Sequence, residues 1–190
     1  DDYRLPDVPP DAAPLYEHCA RALDRSNPRG GHGLPLIGGG DWNDGMNRVG
    51  VEGKGESVWL AWFLMVVLRR FAPIAEARGD SERATRWRAK ADALAKAVED
   101  AGWDGSWYRR AYFDDGTPLG TAGAEECRID SLPQSWSVFA GGDPKRSAQA
   151  MAAVEEHLVL DADRVVLLLS PPFDHSRPKD RKSTRLNSSH

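Results

Sequence analysis

The constraint that weighs most on the fold is the run Val58 to Leu68, eleven apolar residues in succession that include Trp59, Trp62 and Phe63. Too short as a run to cross a bilayer, it predicts a helix opening at Glu56 or Ser57, apolar nearly all round and buried, to about Arg78. Pro73 is expected to kink or divide it. Gly79 is placed to end it, and Asp80 or Ser81 to cap the next helix. That second helix runs to Ala101, with Ala84, Trp87, Ala91, Leu94 and Val98 at helical spacing and a face of Arg, Lys and Glu expected to be solvated. Two helices joined by so short a turn make a helical hairpin.

Further helices follow the same logic. Pro14 to Arg25 places Leu15, Cys19, Ala22 and Leu23 on one face, with Asp11 as its cap. Asp130-Ser131 cap a helix to Gly141, and Asp143-Pro144 cap another to Leu158, with Ala148, Met151, Ala152 and Val154 inward. Trp107 to Phe113 reads as a short hairpin strand, and Val165 to Leu169 as a brief strand. About five paired helices with one or two short β pieces make the class all-α. Residues 175–190 are basic and Ser-rich without apolar periodicity. They resemble translated sequencing-adapter read-through and are set apart from a domain at 1–174.

With 190 residues, 41% hydrophobic and a formal charge of −4, the chain suits one domain, and no basic face points to nucleic acid. Cys19 and Cys127 form no metal-ligand spacing and read as reduced thiols. No cluster has the spacing of a metal or cofactor site. His18 reads as a surface histidine, and His32 as a loop residue close to the segment considered next.

That segment is Gly38-Gly39-Gly40-Asp41-Trp42-Asn43-Asp44-Gly45, two carboxylates and an indole within four residues and glycines on both sides. A capped turn explains it, with Asp41 or Asn43 as cap and Trp42 in the core. So does a saccharide site, in which Trp42 stacks on a pyranose and the carboxylates act as acid, base or acceptors. Residues 45–57 read as a glycine-rich polar loop beside it, without the order of a phosphate-binding P-loop.

Five blocks in order, GDWNDGMNRVG, GESVWLAWFL, GWDGSWYRRAYFDDGTPLG, ECRIDSLPQSW and SPPFD, resemble glycoside hydrolase family 94 over roughly residues 3–174. Within the family the likeness is to the phosphorylase-like domain of cyclic β-1,2-glucan synthases. The resemblance implies part of an (α/α)6 barrel acting on β-glucan, with inorganic phosphate as co-substrate and no other cofactor. It implies that Asp44 is the general acid, that Trp42 contacts the sugar with Asp41 and Asn43 in the substrate-binding set, and that Asp41 supports the loop and is not the proton donor. It places Gln134 and Trp136 near the barrel centre as substrate-binding residues. The phosphate pocket falls on segments outside this sequence, so a chain of this extent is expected to be incomplete. The parent synthase would be a membrane protein carrying this domain on its cytosolic side. In such an inverting phosphorylase one protein carboxyl suffices, because phosphate is already a nucleophile. Asp44 would need a raised pKa, from burial against Trp42 and repulsion from Asp41 and phosphate. The rivals are a hydrolase on a similar barrel, in which Asp41 and Asp44 pair as nucleophile and acid, and a saccharide-binding fragment without turnover.

Overall fold

The computed structural model describes residues 12–26 and 28–174. The Asp11 cap and the 175–190 tail lie outside them. Helix α1 spans Leu15–Arg25, α2 Val58–Ala77, α3 Ser81–Ala97, α4 Ser131–Ala140 and α5 Pro144–Leu158. The last turn of α3 widens into a π turn over Val98–Gly102. The class is all-α, a partial α/α barrel of paired helices. Among the described residues, seven two-residue strands lie in the connections before, between and after the helices. Strands β1 (Glu56–Ser57), β2 (Ala111–Tyr112) and β3 (Pro118–Leu119) form an antiparallel sheet in that order. Strand β4 (Ile129–Asp130) pairs with β7 (Leu169–Ser170), and β5 (Val159–Leu160) with β6 (Val165–Val166).

Helix α2 is the centre of the packing. Ser57 caps it, its hydroxyl accepting from Leu60 N at 3.0 Å. Trp59, Trp62, Leu64, Met65 and Leu68 are buried, and α3 and α4 lie against it. The helix runs through Pro73 undivided. The ring removes the one bond to the carbonyl of Arg69, and the helix, buried along much of its length against its neighbours, continues across that gap. By length and composition its 20 residues would suffice to cross a membrane, at mean hydropathy 1.6, but half of that window is buried inside the fold.

The α3 stripe Ala84, Trp87, Ala91, Leu94 and Val98 is buried throughout, and Asp80 caps the helix through Arg83 N. Its charged face is not wholly solvated. Arg83 reaches Glu17 at 2.7 Å, Asp24 at 3.3 Å and Asp80 at 3.2 Å, and Lys90 donates to Leu23 O at 3.1 Å, so charge docks α1 onto α3.

Two helices sit in a different register from that expected. On α1, Ala20 and Leu23 are buried and Tyr16 packs against the core, while Leu15 and Ala22 are exposed and Pro14 stands at the N-cap. On α5 the inward face is Ser147, Ala150, Ala153, Val154 and Leu158, and Ala148 and Ala152 are exposed. Alanine-rich helices carry too little contrast for periodicity to settle their rotation. His18 is exposed, Cys19 half-buried and Cys127 buried, both thiols free. Burial pushes the Cys127 thiol well above its ordinary range.

Trp87 is 1% exposed and its indole N–H donates to Asp24 at 2.9 Å, so Trp87→Ala should destabilise the fold by about 3–5 kcal/mol in urea denaturation. Hydrogen bonds from Arg83, then Arg21, hold the Glu17 carboxyl down at about 2 from an ordinary 4.5. A depressed carboxyl stabilises the fold above its unfolded pKa, and that contribution is lost as pH falls through the folded value. Protection factors of the α1 amides, which are corrected for the intrinsic pH dependence of exchange, should therefore fall as pH falls from about 4.5 towards 2, and Glu17→Gln should weaken that dependence.

Candidate functional site

The glycine-bracketed loop starts from β1. Ile37 N donates to Gly55 O at 2.8 Å and Ser57 N to Pro35 O at 3.0 Å, so residues 35–37 run along the strand that opens α2. The loop then turns away through Gly38 and Gly40, both at positive φ. Gly50 comes back against it, where a Cβ would lie 2.8 Å from Gly38 O.

The two aspartates have opposite surroundings. The Asp41 side chain is fully buried and is gripped at both oxygens by Arg110: Nη1 reaches Oδ2 at 2.7 Å and Nη2 reaches Oδ1 at 2.8 Å. Ser57 Oγ donates to Asp41 Oδ2 at 2.8 Å, and Asn43 N to Oδ1 at 3.1 Å. Arg110, on the segment entering β2, is itself 0% exposed. Its Nε donates to Asp130 Oδ2 at 3.0 Å, while Asp130 Oδ1 caps α4 by accepting from Leu132 N at 2.9 Å. One guanidinium thus ties the loop to the starts of both α2 and α4. Two carboxyl groups share that one cation. Burial pushes the Asp130 carboxyl up, with the charge of Asp41 adding to the effect, against the pull of Arg110 and the Leu132 amide.

Asp44 is exposed, in a 3-10 turn over Asp44–Met46 that Asn43 caps through Gly45 N at 2.9 Å. Among the described residues, no hydrogen bond or ion pair engages its carboxyl. The burial expected for Asp44 is absent in this chain, and the Asp41 charge expected to repel it is offset by Arg110. The nucleophile role considered for Asp41 fails on the same geometry, since a buried carboxylate held at both oxygens cannot reach an anomeric carbon.

Trp42 is 53% exposed rather than in the core, set edge-on to Trp59 with ring centroids 6.4 Å apart. Trp59 stacks on Phe63 at 5.5 Å and meets Trp136 at 5.9 Å, and Trp136 meets Phe139 at 5.9 Å. These rings form a continuous aromatic ledge along α2 and α4. Asn43 Nδ2 and Trp59 Nε1 are buried and find no acceptor among the described residues.

Gln134 is a correction. Its amide is 0% exposed, accepting from Tyr108 N at 2.9 Å and donating to Tyr108 O at 2.7 Å and Asp130 O at 2.9 Å. It pins α4 to the segment before β2 and is not open to a substrate. Trp136, two residues on, does reach the ledge.

Several organising residues were not expected from the sequence. Arg110 carried no signal separating it from Arg109, whose Nη1 instead donates to Ala101 O and Trp103 O, each at 2.7 Å. Asp114 accepts from Glu52 N, Lys54 N and Gly55 N at 2.8, 2.8 and 2.9 Å, folding the glycine-rich loop around one carboxylate. Those backbone bonds hold its pKa down.

The profile of the Glycosyl hydrolase 94 superfamily, catalytic domain, matches residues 5–186. Over 93% of its length the chain is 54% identical to the cyclic β-(1,2)-glucan synthase NdvB of Rhizobium meliloti (strain 1021), and covers 6% of it. It is 39% identical over 89% of its length to a 3-O-β-D-glucopyranosyl-β-D-glucuronide phosphorylase of Paenibacillus borealis, covering 22% of it. An N,N'-diacetylchitobiose phosphorylase of Vibrio proteolyticus is 32% identical over 83% of the chain, which covers 20% of that enzyme. The chain therefore spans less than a quarter of the length of these relatives. Among solved structures, a GH78 family rhamnosidase of Bacillus sp. GL1 shares the fold at a TM-score of 0.58 and 19% identity, over 74% of this chain and 14% of that one. On the extent of the profile match and on these identities, the chain belongs to the Glycosyl hydrolase 94 superfamily, as a segment of its catalytic domain.

Proposed function

We propose that this segment supplies the general acid of a domain that transfers glycosyl units of β-glucan by inverting phosphorolysis, and that the acid is Asp44. The observation that carries the reading is the division of labour between the two aspartates. Arg110 consumes both oxygens of Asp41, leaving Asp44 as the carboxyl of the loop free to exchange a proton. The relatives include a β-(1,2)-glucan synthase and phosphorylases, which favours transfer to phosphate over transfer to water.

In the proposed step a phosphate oxygen attacks the anomeric carbon as the glycosidic C–O bond breaks. The Asp44 proton goes to the departing sugar oxygen, and the products are a sugar 1-phosphate and a shortened glucan. Trp42 offers its ring face to the sugar beside the cleaved bond. Asn43 caps the short turn that carries Asp44. Asp41 and Arg110 act as positioning residues for the loop. Gln134 has no part in substrate contact. Phosphate is held by parts of the domain outside this segment, which also cover Asp44 and exclude water. The parent protein is a membrane-associated synthase with this domain on the cytosolic side.

The test is to graft residues 12–174 in place of the corresponding segment of NdvB and to supply β-1,2-glucan with and without phosphate. Phosphate-dependent release of sugar 1-phosphate supports the reading. Reducing sugar released without phosphate supports a hydrolase, and binding without turnover a saccharide-binding segment. Asp44→Asn in the graft should lower turnover by about 10²–10⁴ while leaving glucan binding largely intact, and undiminished turnover would reject Asp44 as the acid. Arg110→Lys keeps the charge but loses the two-pronged grip. It should lower both the melting temperature and kcat, whereas Arg86→Ala, on the face of α3 that meets Asp24, should leave kcat unchanged.

A further inference from the structure

Strand β1 is two residues long, and its side chains point to opposite faces of the sheet. Ser57 reaches Asp41 and Arg110. Glu56 reaches the other way, is 2% exposed, and grips the start of the segment whose end Ser57 holds. Its carboxylate accepts from His32 N at 3.1 Å and Leu34 N at 3.0 Å, and it meets His32 Nδ1 at 2.5 Å. The His32 ring lies flat on Tyr112, centroids 3.8 Å apart, and Tyr112 is the cross-strand partner of Glu56. Leu36 forms a β-bridge with Glu56 itself. Gly30 makes room for this arrangement, because a Cβ there would lie 2.3 Å from Glu56 Cδ.

Taken together, residues 30–37 are bolted to β1 at their start by Glu56, and the Asp41–Asp44 loop is bolted to the same strand by Ser57. A buried carboxylate is costly unless donors surround it, and here the donors are two amides of one loop and an imidazole. We propose that Glu56 and His32 form a positioning pair for the Asp41–Asp44 loop. Their grip sets where residues 34–37 deliver Gly38, and so where Trp42 and Asp44 stand relative to the Arg110 anchor. Glu56 and His32 touch no reacting atom. Their effect on turnover rests on the reading of Asp44 as the acid, but their effect on loop placement does not.

Two measurements separate those claims. In the isotope-labelled chain, Glu56→Gln and His32→Ala should shift the Trp42 indole resonance and the amide resonances of Gly38–Asn47, leaving those of α3 and α5 in place. His32→Asn, which can offer an amide N–H where the imidazole Nδ1 stands, should restore most of the original pattern relative to His32→Ala. His32 lies at the surface, so His32→Ala carries the test if Glu56→Gln does not fold. Loop resonances that stay put in a folded His32→Ala variant would overturn the proposal. In the NdvB graft, both variants should lower kcat at least tenfold with KM for glucan changed less than twofold. Resonances that move while kcat holds would support the positioning pair and count against Asp44 as the acid.

Discussion

The buried guanidinium of Arg110 is what the site depends on. It meets Asp41 with both terminal nitrogens and Asp130 with Nε. A planar fork satisfies two carboxylates in fixed directions, where an ammonium would offer a single point of charge. The three groups sit on three separate pieces of chain: the glycine-bracketed loop, the lead into β2 and the cap of α4. Removing Arg110 would leave the Asp41 and Asp130 carboxyls without their shared cation in the interior, at a cost of about 3–5 kcal/mol. Ser57 joins the same cluster while capping α2, so the loop's position and the start of the most buried helix are set by one set of hydrogen bonds.

The helical hairpin provides the rigid floor beneath this cluster. Trp62 and Trp87 are each close to fully buried, and α2 carries the aromatic face that continues from Trp42 through Trp59 and Phe63 to Trp136 on α4. The ledge is exposed at its ends, with Phe139 at 73% and Trp42 at 53%.

Much of this was legible because it rests on local physics. The caps at Ser57, Asp80, Asp130 and Asp143 each follow from a short acceptor ahead of a helical run. The α3 stripe was legible because Trp and Leu stand out against Arg and Lys. The stripes of α1 and α5 were not, because alanine fits either face and neighbouring elements decide the rotation. Gln134 looked like a site residue because the resemblance places it near the barrel centre. Its role as a backbone clamp for Tyr108 depends on a pairing 26 residues apart that no local pattern announces.

Residue order alone carried the helical class, the hairpin at 58–101, the placement of both carboxylates and an indole on one glycine-flanked loop, and the family. Those follow from periodicity, caps and order along the chain, which are properties of neighbours. It took the folded arrangement to show which aspartate is occupied and which is free, that Arg110 rather than Arg109 is the anchor, and that Glu56 and Ser57 hold opposite ends of the same segment. The reason is that burial and charge pairing join residues as far apart as 69 positions, and the energy of a buried ion depends on every group around it.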